Sequence, residues 1–159
     1  MQTSSLVARE RAIELARSWK GTPYVMRGRV KGAGVDCGTL LLEYLIEIGA
    51  AEREDIPLYA GDWFCHTTDE RYMRHLLKYA RKIVEGICCG TPDAAPGNLI
   101  LFKSHHNADL FIHGAIVLNW PRVLHAEYCG VHESTATSHT LMAFKPFAIF
   151  DPWSNGSNA

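Results

Sequence analysis

Apolar positions recur at helical spacing in the first part of the chain. From about Ser4 to Trp19, the residues Ala8, Ala12, Leu15, Ala16 and Trp19 fall on one face, which predicts an amphipathic helix ended by Gly21 and Pro23. A second pattern, DCGTLLLEYLIEIG, runs from Asp36 to Gly49. Asp at the N-cap and Gly just past the end are helix punctuation. Leu40, Leu41, Leu42, Tyr44, Leu45, Ile46 and Ile48 cover nearly its whole circumference, so this helix is expected in the core. Between the two lies GTPYVMRGRVKGAG (residues 21–34), whose Gly and Pro content predicts a loop wrapped close against another surface. Residues 50–66 lack periodicity and read as an irregular excursion. The capping-box pattern Thr67-x-x-Glu70 then predicts a third helix with Met73, Leu76, Leu77, Ala80, Ile83 and Ile87 as its apolar stripe.

After Pro96 the pattern becomes strand-like. LILF (99–102), GAIVL (114–118), VLHAEY (123–128) and FKPFAIF (144–150) are short β-type runs separated by turn-forming pieces such as Asn119-Trp120-Pro121-Arg122. The close spacing of the second and third predicts an antiparallel hairpin. Helices first and a β-meander second describe an α+β domain, expected to span residues 1–159.

Charge narrows the function classes. The formal net charge is -1 and the signs alternate without a basic block, so the concentrated Lys and Arg needed to hold phosphates are missing and nucleic acid is not an expected partner. No run approaches the ~20 apolar residues that span a bilayer, and the N-terminal stretch has no apolar signal region. The chain is expected to be made in the cytoplasm without a signal peptide. Five cysteines (Cys37, Cys65, Cys88, Cys89, Cys129) show no C-x-x-C pair, which argues for reduced thiols rather than a zinc ribbon.

Candidate chemistry centres on Cys37. The N–H groups and dipole of a helix N-terminus stabilise a thiolate and raise its availability as a nucleophile. A nucleophilic Cys needs a base and an orienting group. Of eight histidines, His113 begins one strand of the expected hairpin and His125 lies in the other, so both imidazoles can project from one face. Each alone is ordinarily just a strand His. His105-His106 with these two invites a metal reading, but no carboxylate or Cys stands at a familiar ligand spacing, and none is adopted. Asp62, Trp63 and His66 form a polar and aromatic cluster that either lines a pocket or anchors a loop.

Four ordered blocks carry a resemblance: GTPYVMRGRVKGAGVDCGTLL (21–41), APGNLILFK (95–103), HGAIVL (113–118) and VLHA (123–126). With them the chain resembles the NlpC-type family of papain-like cysteine peptidases, in particular its short phage-associated cell-wall members. The resemblance implies a papain-like fold with Cys37 as nucleophile, His113 as general base and acid, and His125 as the residue that orients His113. It also implies that Tyr24 and the Cys37 backbone N–H shape an oxyanion pocket, that Asp36 helps hold the substrate amine, and that no metal or organic cofactor is needed. Similar enzymes cut peptidoglycan stem peptides, often between D-Glu and a diamino acid. Two departures stand out: Gly38 replaces a Ser common in the family's D-C-S-G, and Asn98 replaces the Asp of P-G-D-L. The first leaves the catalytic set intact and bears on amine recognition. The segment from Ala50 to Ala95 is similar to one in phage-associated relatives, with Asp62, Trp63 and His66 as part of it, and delivery to the wall with phage tail proteins is expected. An acyltransferase or protein-directed amidase with the same three residues, or a tail assembly component with vestigial activity, are the competing readings.

Overall fold

The computed structural model describes residues 6–56, 74, 76–87, 93–104 and 109–157. The polar and aromatic cluster of Asp62, Trp63 and His66, and the paired His105-His106, lie outside the described residues.

The chain runs α1 (Arg9–Arg17), β1 (Arg29–Val30), β2 (Gly34–Val35), α2 (Cys37–Glu47), β3 (Arg81–Ile87), β4 (Leu99–Lys103), β5 (Phe111–Asn119), β6 (Arg122–Glu127), β7 (Gly130–Thr135) and β8 (Pro146–Asp151), ending in a 3-10 turn at Pro152–Ser157. Strands β3 to β8 form one sheet in the order β3-β8-β4-β5-β6-β7, antiparallel at every pairing. The architecture is α+β, as the pattern of helices followed by strands predicts.

Strand alternation splits the core into two layers. Leu99, Leu101, Ile116, Leu124, Ala126, Ala148 and Phe150 pack with Leu40, Leu41, Tyr44 and Leu45 of α2 and Ala12 and Ala16 of α1. Their neighbours Ile100, Phe102, Ala115, Val117, Val123, Phe147 and Ile149 form a second layer, joined by Ala136 and Met142 from the segment after β7. Each fully buried Leu or Phe in these layers contributes about 1.5–3 kcal/mol relative to exposure. The helix seats closely because β5 offers it Gly114: a Cβ there would come within 2.5 Å of Leu41 Cδ1.

Two expectations are corrected. The helical stripe through Ile83 and Ile87 is overturned, since Arg81–Ile87 is strand β3, paired with β8 from Arg81↔Asp151 to Ile87↔Pro146. Helix persists at Leu76, which is buried with Ala80. Beyond that point Ile83, Val84 and Ile87 are β-branched and Gly86 disfavours helix, and β8 satisfies the backbone hydrogen bonds. The glycine-rich loop also contains a small hairpin, β1–β2, with Val30 opposite Gly34. Its entry is pinned to the main sheet, because Gly21 N–H donates to Val131 O at 2.9 Å and Val131 N–H donates to Thr22 O at 2.9 Å.

Candidate active site

Cys37 is the first residue of α2, and Asp36 is its N-cap. Asp36 Oδ1 accepts the backbone N–H groups of Gly38 (3.0 Å) and Thr39 (2.9 Å), while Thr39 Oγ1 accepts the Asp36 N–H at 2.9 Å. This reciprocal box satisfies donors that the first helical turn otherwise leaves unpaired. Asp36 Oδ2 accepts a further N–H from Arg27 at 2.8 Å. The Asp36 carboxylate is therefore buried in the frame that holds the helix start. The Cys37 thiol is half-buried, with Sγ 3.8 Å from Ile112 O, so it lies against the chain one residue before His113.

His113 and His125 come together from β5 and β6. His113 Nε2 is 2.9 Å from His125 Nδ1, and His125 Nε2 is 2.7 Å from Ser134 Oγ on β7. All three residues are buried. The ring nitrogens admit one consistent set of protons if His113 is to act as a base at Nδ1. His113 Nε2–H donates to His125 Nδ1, and His125 Nε2–H donates to Ser134 Oγ. Burial, then the positive charge of His139, Lys145 and His132, pulls the His113 pKa down to about 3, so its imidazole is neutral at pH 7 in the resting site. Burial, then His113, His132 and His139, likewise lowers that of His125.

Tyr24 precedes the glycine-rich hairpin and bridges to Val35, the residue before Asp36. Its ring lies 5.2 Å from that of the exposed Tyr128. Burial raises the Tyr24 pKa well above the ordinary phenol range, and the negative charges of Cys37 and Asp36 add to the effect. The phenol therefore stays protonated near the thiol and remains a donor. Asn98 is buried at the turn before β4, where its Oδ1 accepts the Ala95 N–H at 2.9 Å.

Sequence reasoning missed Ser134 and the polar residues beyond it. His125 stands opposite His132 across the β6–β7 pairing. One side-chain donor atom from each of His125, Glu127, His132 and His139 lies within 4.8 Å of the others. The signal was the tight turn at Tyr128-Cys129-Gly130: folding GVHEST back on VLHAE brings His132 and Ser134 to His125 and Glu127, and the segment after β7 adds His139, although GVHEST has no apolar run to announce a strand.

A half-buried thiol at the head of a buried helix, set against an antiparallel sheet that carries two buried histidines, makes a papain-like layout. Within that class the arrangement is the NlpC/p60 fold. The chain superposes on the NlpC/p60 domain of the peptidoglycan hydrolase SagA with a TM-score of 0.56 and 19% identity, over 90% of this chain and 98% of that one. A Bacillus cereus NlpC/P60 family protein gives a TM-score of 0.59 at 16% identity, covering 91% of this chain and 40% of that protein. NlpC1 from Trichomonas vaginalis gives 0.61 at 16% identity, covering 90% and 43%. The chain thus spans less than half the length of the latter two. No protein-family model and no curated protein sequence matches it.

Proposed function

We propose that the chain is a cysteine peptidase that hydrolyses amide bonds in the stem peptides of peptidoglycan. The observation that carries this reading is the Cys37 thiol at the head of α2, beside the chain at Ile112-His113, with His113 held by His125. One of the structures sharing the fold is a domain of a peptidoglycan hydrolase.

In this mechanism His113 Nδ1 accepts the Cys37 proton while Nε2–H stays on His125. The thiolate attacks the amide carbonyl carbon. The Cys37 backbone N–H and the protonated Tyr24 phenol stabilise the developing oxyanion, aided by the α2 dipole. His113 then protonates the leaving amine as the C–N bond breaks, which leaves a thioester on Sγ. Water, deprotonated by His113, releases the acid and regenerates the thiol. The positive charge gained by His113 in the first step is balanced by the thiolate, which offsets the cost of burying an imidazolium.

The proposed bond is the one between D-Glu and the diamino acid. Gly38 stands where relatives place a Ser, so amine recognition rests on other groups in this chain. We further propose delivery to the wall with a phage tail, supported by the likeness of the four sequence blocks to phage-associated peptidases. Digestion of purified peptidoglycan by wild type and Cys37→Ala, with mass analysis of the fragments, tests the reading. Wild type is expected to release fragments with new amine ends and Cys37→Ala none; digestion without new amines would sink it.

A further inference from the structure

The side of His125 away from His113 is lined by groups that the proposed reaction does not use. Glu127 follows His125 by two residues on β6, His132 faces it from β7, and His139 comes from the turn beyond. The His125 ring lies 4.6 Å from that of His132 and 4.9 Å from that of His139, centroid to centroid. Glu127 Oε2 is 3.2 Å from His132 Nε2, and Glu127 Oε1 is 3.1 Å from His139 Nε2. These two contacts run to different oxygens of Glu127; one donor atom from each of the four residues lies within 4.8 Å of the others, so a small inward closure brings them to the roughly 3.3 Å that separates two ligands bound at about 2.0 Å to one tetrahedral ion. We propose that His125, Glu127, His132 and His139 form a binding site for a zinc-like divalent transition metal, and that its occupation disables His113 as a base.

The donor set selects the class of ion. Three imidazoles and one carboxylate suit zinc and its neighbours, whereas magnesium and calcium favour oxygen. His132 Nδ1 lies 3.1 Å from Gly130 O and 3.5 Å from Cys129 Sγ; in the tautomer that donates Nδ1–H to the carbonyl, the Nε2 lone pair is free to bind an ion beside Glu127. His139 must turn its Nδ1 from acceptor to donor, giving up the 3.2 Å bond from Leu141 N–H. Glu127, His132 and His139 are partly exposed, which leaves an entry path, while His125 is buried at the floor.

The effect on His113 follows from the two nitrogens of His125. Nδ1 faces His113 on β5, and Nε2 faces β7, where Ser134 is its present partner. An ion on the β7 side displaces the Nε2 proton that now points at Ser134, and a neutral imidazole bound through Nε2 carries its proton on Nδ1. That proton must point at His113 Nε2, which then has to accept. His113 is left with its own proton on Nδ1 and cannot take one from Cys37. The metal thus sets the wrong tautomer without touching the thiol. This second half of the inference rests on the peptidase reading; the site itself does not.

The test separates the two halves. Chelator-stripped, full-length Cys37→Ala is titrated with Co²⁺ and then with Zn²⁺. We expect one cobalt ion per chain with visible tetrahedral bands, no thiolate-to-cobalt charge-transfer band, and displacement by zinc. Glu127→Gln and His132→Gln are each expected to weaken binding at least ~10-fold. A thiolate band, no binding by Cys37→Ala when wild type binds, or unchanged affinity in both folded ligand variants would overturn the site. In wild type, Zn²⁺ is expected to inhibit hydrolysis, EDTA to reverse it, and His132→Gln to relieve it. Zinc bound at this site without inhibition would overturn the switching half. Absence of any hydrolysis would count against the peptidase reading, and the cobalt spectrum would still decide the site.

Discussion

His113 Nε2 and His125 Nδ1 meet at 2.9 Å with their rings nearly perpendicular, at 87°. Across two strands, one imidazole fixes the proton position of the other. His113→Ala is therefore expected to lower kcat by about 10²–10⁴-fold, the range of a lost general base. His125→Gln keeps an amide oxygen able to accept from Nε2–H and is expected to lose about 10–100-fold. Steady-state kinetics on muropeptide substrates check the order. A His125→Gln defect as large as that of His113→Ala would give His125 a direct part in the chemistry.

Ser134 extends the same chain by one bond. Ser134→Ala leaves the buried His125 Nε2–H without its acceptor, at a cost of about 1–3 kcal/mol in stability. Thermal and urea denaturation of the variant measure this directly.

Cys37 is expected to react with iodoacetamide at pH 7 faster than any other cysteine in the folded protein, because its helix N-terminus favours the thiolate. The exposed Cys129 is the control for mere accessibility. Mass mapping of partial alkylation gives the ranking, and faster labelling of Cys129 would contradict the thiolate argument.

Gly114→Ala forces a methyl against Leu41 Cδ1 at 2.5 Å and Leu101 Cδ2 at 3.0 Å. The overpacking is expected to cost about 1–3 kcal/mol. Since Leu41 lies one turn along α2 from Cys37, the variant is also expected to lose activity at temperatures where it remains fully folded. Gly114→Ser should behave alike, whereas a distant surface substitution should not.

Stability, measured with a chelator present, is expected to fall as pH drops below about 6.5. The folded His113 has its pKa lowered to about 3, so between these values the unfolded chain binds the extra proton. The neutral form is favoured in the fold, and that contribution is complete above the unfolded pKa and is lost on acidification. His113→Asn should flatten the slope of melting temperature against pH between 6.5 and 4; an unaltered slope would assign the acid sensitivity to other groups.

The parts of the fold governed by local chemistry were legible in the sequence. Asp36 and Gly49 bracket α2 as cap and terminator, and Asn119 to Arg122 turn β5 into β6. The two histidines meet because β5 and β6 are hairpin neighbours, paired from Ile116↔Leu124 to Asn119↔Arg122, and period 2 puts both rings on one face. The segment after Leu76 was not legible, because the helical spacing of Ile83 and Ile87 competes with β-branched preference and only pairing to the distant β8 decides. β7 is not legible for a related reason: GVHEST is polar, and its partner β6 rather than its own composition makes it a strand. Ser134 and the cluster of Glu127, His132 and His139 follow from that pairing, so spacing along the chain did not display them.

The Asp36 carboxylate grips both the first turn of α2 and the N–H of Arg27, a non-glycine residue held at φ 61°. One side chain thus splices the helix that carries the thiol to the bend that borders it. An outward swing of that bend would have to break the splice or drag the nucleophile along. Substrate entry is therefore expected to rely on changes elsewhere around Cys37, with the Arg27 bend and Cys37 behaving as one solid corner.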